Sequence, residues 1–159
     1  MVEAALEGTD GAGWHTWYQL ALVRYVERNT AEAERLLCRS MELEANAWNL
    51  YAMAHLKAAR GRLDLAAQYA AAAMEKAPAD DCIAKEGVLL MPRAGRFGQV
   101  AASVDGMPKD IPGLGRIRPA YAIAQPVVGH IEKVEDILHG DGRLDVTDIL
   151  VGEDTITDL

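Results

Sequence analysis

The chain has 159 residues, half of them apolar, with a formal net charge of −8, two cysteines and a single phenylalanine. A chain of this length can bury one continuous core without metal or disulfide staples, and its excess of acid excludes nucleic acid, whose backbone takes a basic stripe to displace counterions. There is no run of about 18 apolar residues and no signal-peptide arrangement, so no membrane partner is expected, and reduced thiols at Cys38 and Cys82 fit a cytoplasmic setting.

Residues 1–13 close on a glycine-rich stretch and are expected to form a flexible lead. From Trp14 the apolar residues fall at helical spacing, which predicts a helix over 14–28. Asn29-Thr30, followed by Glu32 and Glu34, puts a capping side chain and carboxylates at the start of a second helix over 30–44. Cys38, inside it, reads as a small packed residue. Further helices are expected over 46–59, 62–77, 79–91 and 96–105, the last about a turn short. A connector rich in Pro and Gly over 106–115 leads to helices over 116–125 and 130–139. Pro92 and Pro126 should end or kink the helices they fall in. The tail over 141–159, where Leu144 and Val146 alternate with acidic residues, reads as an extended acidic segment or a cap over the last helix.

These helices repeat as pairs. Gly61, Gly95 and Gly129 are 34 residues apart, and Ala45, Pro78 and Pro112 follow at 33 and 34. The units are approximately 14–45, 46–78, 79–112 and 113–140. Ala21, Ala54, Ala66 and Ala73 fall where helices must approach closely, with Leu20, Leu37, Met53, Val100 and Leu138 filling the space beside them.

Trp17-x2-Leu20-Ala21 followed by Ala33-x3-Leu37, and then Ala66-x3-Ala70 with Pro78, resemble the tetratricopeptide repeat, whose pattern is W-x2-L-G-x2-Y, A-x3-F and P. The third and fourth units are degenerate. The resemblance covers residues 12–140. It implies an all-α, right-handed superhelical array of about four helix pairs, an α-solenoid whose working part is a surface.

In such arrays the first helix of each pair lines the inner face. Helical spacing puts His15, Tyr18, Leu22 and Tyr25 there from the first unit, and Trp48, Tyr51, Ala52 and His55 from the second. Lys85, Glu86 and Leu89 continue it, with Arg93 and Arg116 beyond, so one end is aromatic and the other charged. Tyrosine and tryptophan give large contact area with few torsions to freeze. The competing reading of Tyr18, Trp48 and Tyr51 is that their rings fill gaps between helices. The family's clamp for chaperone-tail carboxylates is not transferred, because Tyr18, Leu22 and Val26, then Tyr51, His55 and Ala59, stand where such clamps are polar or basic.

No cofactor, metal ligand or catalytic residue is expected. His15, His55, His130 and His139 form no metal-ligand pair, and no serine or cysteine has a local base. Residues 139–148 resemble the latter part of a calcium loop, but Ile137 and His139 occupy two earlier ligand places, which leaves Asp141, Asp145 and Asp148 as a turn and acidic cap. Gly113-Leu114-Gly115 follows no strand and reads as a connector.

The expected function is a non-catalytic protein-protein interaction module that binds a peptide, a helix or a neighbouring domain in its aromatic groove. A second resemblance supplies the alternative. Residues 14–18 and 151–159 resemble the C-terminal helical-repeat part of large bacterial proteins with an uncharacterised β-rich domain. It implies an accessory or oligomerisation domain of a larger, carbohydrate-related protein, with a homodimer as one outcome.

Overall fold

The computed structural model describes residues 12–108 and 117–139. The expectations for the lead before Ala12, for Pro112, the glycines of 113–115 and Arg116, and for the acidic tail with its calcium-like loop lie outside the described residues, as do the side chains of Leu138 and His139.

The described residues are all-helical, with eight helices: α1 (Trp14–Val26), α2 (Thr30–Leu43), α3 (Ala47–Ala59), α4 (Leu63–Lys76), α5 (Asp81–Arg93), α6 (Phe97–Asp105), α7 (Ile117–Val127) and α8 (Ile131–His139). Local chemistry sets the starts. Asn29 Oδ1 accepts from the Glu32 amide at 3.3 Å and Asp80 Oδ1 from the Ile83 amide at 2.9 Å. Asn46 and Asn49 cap each other reciprocally, each side-chain oxygen accepting the other's backbone N–H.

One turn closes the first helix of each pair, four times over. Asn29, Arg62, Arg96 and His130 each donate their amide to the carbonyl five residues back, at 2.9 Å. The residue before each has positive φ: Arg28 (64°), Gly61 (70°), Gly95 (69°) and Gly129 (89°). This is the Schellman arrangement, which satisfies carbonyls that the helix end leaves free. In the first unit an arginine takes the left-handed position that glycine takes in the other three.

Pro92 and Pro126 sit one residue inside the C-terminal ends of α5 and α7, so each helix runs one residue past its proline and then stops. A proline there forfeits a single intrahelical bond in a turn that is already ending. α5 begins two residues later than the sequence pattern suggests, at Asp81, because Asp80 acts as its cap.

Consecutive helices pack on each other, and α1, α3, α5 and α7 also touch in series. Trp17, Ala21, Ala33, Leu36, Leu37, Met53 and Leu56 form the core between the first two pairs. A second cluster, including Met74, Ile83, Val88, Met91, Val100, Ile117 and Ala124, runs through the rest. Ala66, Ala67, Ala70 and Ala73 let α4 lie close to its neighbours, and all four are fully buried. The approach is tightest at Gly87, where a β-carbon would sit 2.5 Å from the Met74 sulfur.

Polar ties cross the pairs as well. Glu34 of α2 accepts from Lys57 of α3 at 2.5 Å and pairs with Arg60, and the Lys57 bond holds its carboxyl below the usual range. Arg96, in the turn before α6, reaches Asp64 of α4 at 2.9 Å. Cys38 departs from expectation. It is exposed, as is Cys82. The buried stripe of α2 is Ala33, Leu36, Leu37 and Ser40, and residue 38 lies about 100° round the helix from Leu37.

A candidate binding cleft on the first helices

The first helices border two adjoining hollows. The smaller, of about 210 Å³, is lined by Tyr18, Ala21, Leu22, Tyr25, Leu37, Tyr51, Ala52, His55 and Leu56. The larger, of about 900 Å³, is lined by Tyr25, His55, Ala58, Ala59, Glu86, Leu89, Leu90, Pro92, Arg93, Phe97, Pro119, Ala120 and Ile123. Tyr25 and His55 belong to both and join them.

Helical phase explains which side chains meet there. His55, Ala58 and Ala59 on α3, and Glu86, Leu89, Leu90 and Arg93 on α5, are i, i+3, i+4 stripes facing one space. Pro119, Ala120 and Ile123 line it from α7, and Phe97, the first residue of α6, and Pro92 line it as well.

Polar groups are few on this apolar surface. The Tyr51 and His55 rings meet edge-on with centroids 4.5 Å apart. Burial pushes the Tyr51 phenol up, with Glu86 and Cys82 adding to it, and burial likewise raises Tyr18. Burial pushes the His55 imidazole down; Glu86 opposes this and Arg93 adds to it. Both phenols and the imidazole are therefore neutral near neutral pH. His55 Nε2 is buried and has no hydrogen-bond partner among the described residues. The cleft thus offers neutral hydrogen-bonding heads, apolar walls, a carboxylate and a guanidinium.

Of the residues nominated from sequence, Tyr18, Leu22, Tyr25, Tyr51, Ala52, His55, Glu86, Leu89 and Arg93 line the hollows. His15, Trp48 and Lys85 do not. His15 is exposed beside Trp14 and Tyr18 and lies 3.3 Å from Gln19 Nε2. Trp48 is 45% exposed near the start of α3. Lys85 lies 3.8 Å from Asp81, one turn back on α5. Sequence reasoning does not pick out Phe97 or the α7 wall; Ala120 and Ile123 in one apolar stripe with Pro119 are the available signal.

His130 lies 3.4 Å from Glu132 on the surface. Among the described residues no three His, Cys, Asp or Glu side chains are grouped so as to hold a metal ion, and no helix is long and apolar enough to cross a membrane. No family model matches the chain, and no curated protein shows significant similarity to it.

Proposed function

We propose that the chain is a non-catalytic interaction module, a tetratricopeptide-like α-solenoid that holds a peptide, a helix or a neighbouring domain against its first helices. The observation that carries this reading is the pair of joined hollows, whose walls come from α1, α3, α5 and α7 in turn. Four like turns at intervals of 33 and 34 residues support the repeat architecture. Half-buried Tyr18 and Tyr51 supply aromatic anchors that lose little entropy on binding.

A second reading, an accessory or oligomerisation domain, draws on exposed apolar residues away from the cleft. Val26 at the end of α1 is 79% exposed, and Val127 and Ile131, on either side of the last turn, are 62% and 67% exposed. Light scattering coupled to size exclusion, over a wide concentration range, separates the two. A module that binds through its cleft keeps a monomer mass, and its partner's affinity falls when Tyr18, Tyr51 and His55 are all changed to Ala with helicity intact. Unchanged affinity in that triple variant would sink the cleft reading. A mass that doubles with concentration, and reverts on Ile131→Lys, would favour self-association.

A further inference from the structure

The smaller hollow is walled mainly by rings. Of its lining side chains that are not themselves buried, Tyr18, Tyr25, Tyr51 and His55 are aromatic, and only Leu22 and Ala52 are aliphatic. Tyr18 and Tyr25 stand two turns apart on one stripe of α1, about 10 Å along the axis, with Leu22 between them. Tyr51 and His55 stand one turn apart on α3, and their rings are inclined at 68° with centroids 4.5 Å apart, so their faces turn in different directions and form a corner. The space is about 210 Å³. An apolar cavity of about 150 Å³ holds a benzene, so this hollow takes one compact group and not a helix.

We propose that the smaller hollow is an aromatic cage that takes a quaternary or methylated ammonium head among the rings of Tyr18, Tyr25, Tyr51 and His55. The faces of aromatic rings carry partial negative charge and attract a cation that has shed its water. Methylation is what makes the shedding cheap: an unmodified ammonium is strongly hydrated and has three N–H groups to satisfy, and this lining is mostly apolar. Among the described residues no lysine or arginine lines the hollow to repel a cation, and the chain as a whole carries −8. Burial keeps the His55 imidazole neutral near neutral pH, so it presents a ring and not a charge. The inference rests on the cleft reading above and names the chemistry of one group that the cleft holds.

The test titrates the full chain, followed by NMR, with choline and two relatives of it. Dimethylbutanol puts carbon in place of the nitrogen and is neutral; ethanolamine keeps the charge and lacks the methyl groups. Choline should bind about 10-fold tighter than either, with its methyl signal moved upfield by the ring currents of the cage. Tyr51→Phe keeps a ring face and should keep that preference, whereas Tyr51→Leu should weaken choline about 10-fold and leave dimethylbutanol little changed. The comparison on the parent chain decides without any variant. Choline and dimethylbutanol binding alike, with both lost in the Tyr18, Tyr51 and His55 triple variant of intact helicity, overturns the cage and leaves the cleft reading standing. Equal binding that survives the triple variant overturns both. Choline and ethanolamine binding alike marks diffuse attraction to an acidic chain and overturns the cage, as does no binding of choline. A peptide carrying trimethyl-lysine then separates the sources of the head group: binding about 10-fold tighter than choline assigns it to a partner protein, and binding no tighter assigns it to a small molecule.

Discussion

Asn49 donates from Nδ2 to Ser40 Oγ at 3.1 Å, and Ser40 in turn donates to the Trp14 carbonyl at 2.8 Å. Asn49 Nδ2 also reaches the Glu44 carbonyl at 2.7 Å, while its Oδ1 receives the Asn46 amide. Both side chains are fully buried. This chain of bonds joins the start of α1, the end of α2 and the start of α3, so it fixes how the first pair meets the second. Asn49→Ala leaves the buried Ser40 hydroxyl and the Glu44 carbonyl short of a donor and removes half of a reciprocal cap. The expected loss is about 2–3 kcal/mol, read by urea denaturation. Ser40→Ala should cost about 1 kcal/mol less, since it strands one Asn49 amide proton and takes one donor from the Trp14 carbonyl but leaves the reciprocal cap intact. A change below about 0.5 kcal/mol in the asparagine variant would show that the network does not hold the pairs together.

Arg28 occupies the left-handed position with φ 64°, where the other units have glycine. For a residue with a β-carbon that conformation costs about 1–2 kcal/mol. Arg28→Gly should relieve it, offset partly by the greater freedom of glycine in the unfolded chain, for a net gain of about 0.5–1 kcal/mol. Gly95→Ala should move stability the other way by about 1 kcal/mol; nothing crowds a β-carbon there, so the cost is conformational. Thermal melts of both variants beside the parent check the pair, and matching signs would contradict the argument.

Helix positions are largely legible in the sequence because their signals are local. Asn29 caps the helix that begins just after it, and three glycines mark the turns, whereas the sequence pattern misses the cap at Asp80 and places the start of α5 two residues early. The turn at Arg28 hides from the pattern because its residue type disguises its conformation. The cleft is legible by face but not by depth. Helical phase puts His15 on one face with Tyr18, Leu22 and Tyr25, and Trp48 on one face with Tyr51 and His55, yet says nothing about where along the axis a hollow opens. His15 and Trp48 are the second residues of their helices, and Lys85 lies in the first half of α5; the larger hollow lies toward the C-terminal halves of α3 and α5. Cys38 misleads for a different reason: its residue type suggests burial, whereas phase puts it beside the buried stripe rather than on it.

Exposure of both cysteines has a direct chemical consequence. The folded chain should take up two equivalents of iodoacetamide with no loss of helicity, as followed by intact mass and circular dichroism. Partial burial and the neighbouring Glu34 push the Cys38 thiol up from its ordinary value of 9.0, so its labelling should quicken as pH is raised toward that range. A Cys38 that reacts only in denaturant would restore it to the core.

His55 gives the cleft a pH dependence whose sign can be worked out. Its folded-state pKa lies below the ordinary imidazole value of 6.5, with burial as the main cause. Between the two values the unfolded chain binds the proton and the folded chain does not, so acid favours unfolding. The stability contributed by a neutral His55 is therefore complete above 6.5 and declines as pH falls from there toward the folded-state value. His55→Gln keeps a polar side chain of similar reach but cannot titrate. Urea midpoints from about pH 7 to about pH 5 should fall more steeply for the parent than for this variant. The Glu34 carboxyl, held low by Lys57, loses its contribution only at more acidic pH and does so equally in both proteins, so it cancels from the difference. Parallel pH profiles would mean that His55 is solvated in the folded chain and that the join between the two hollows is wetter than its geometry implies.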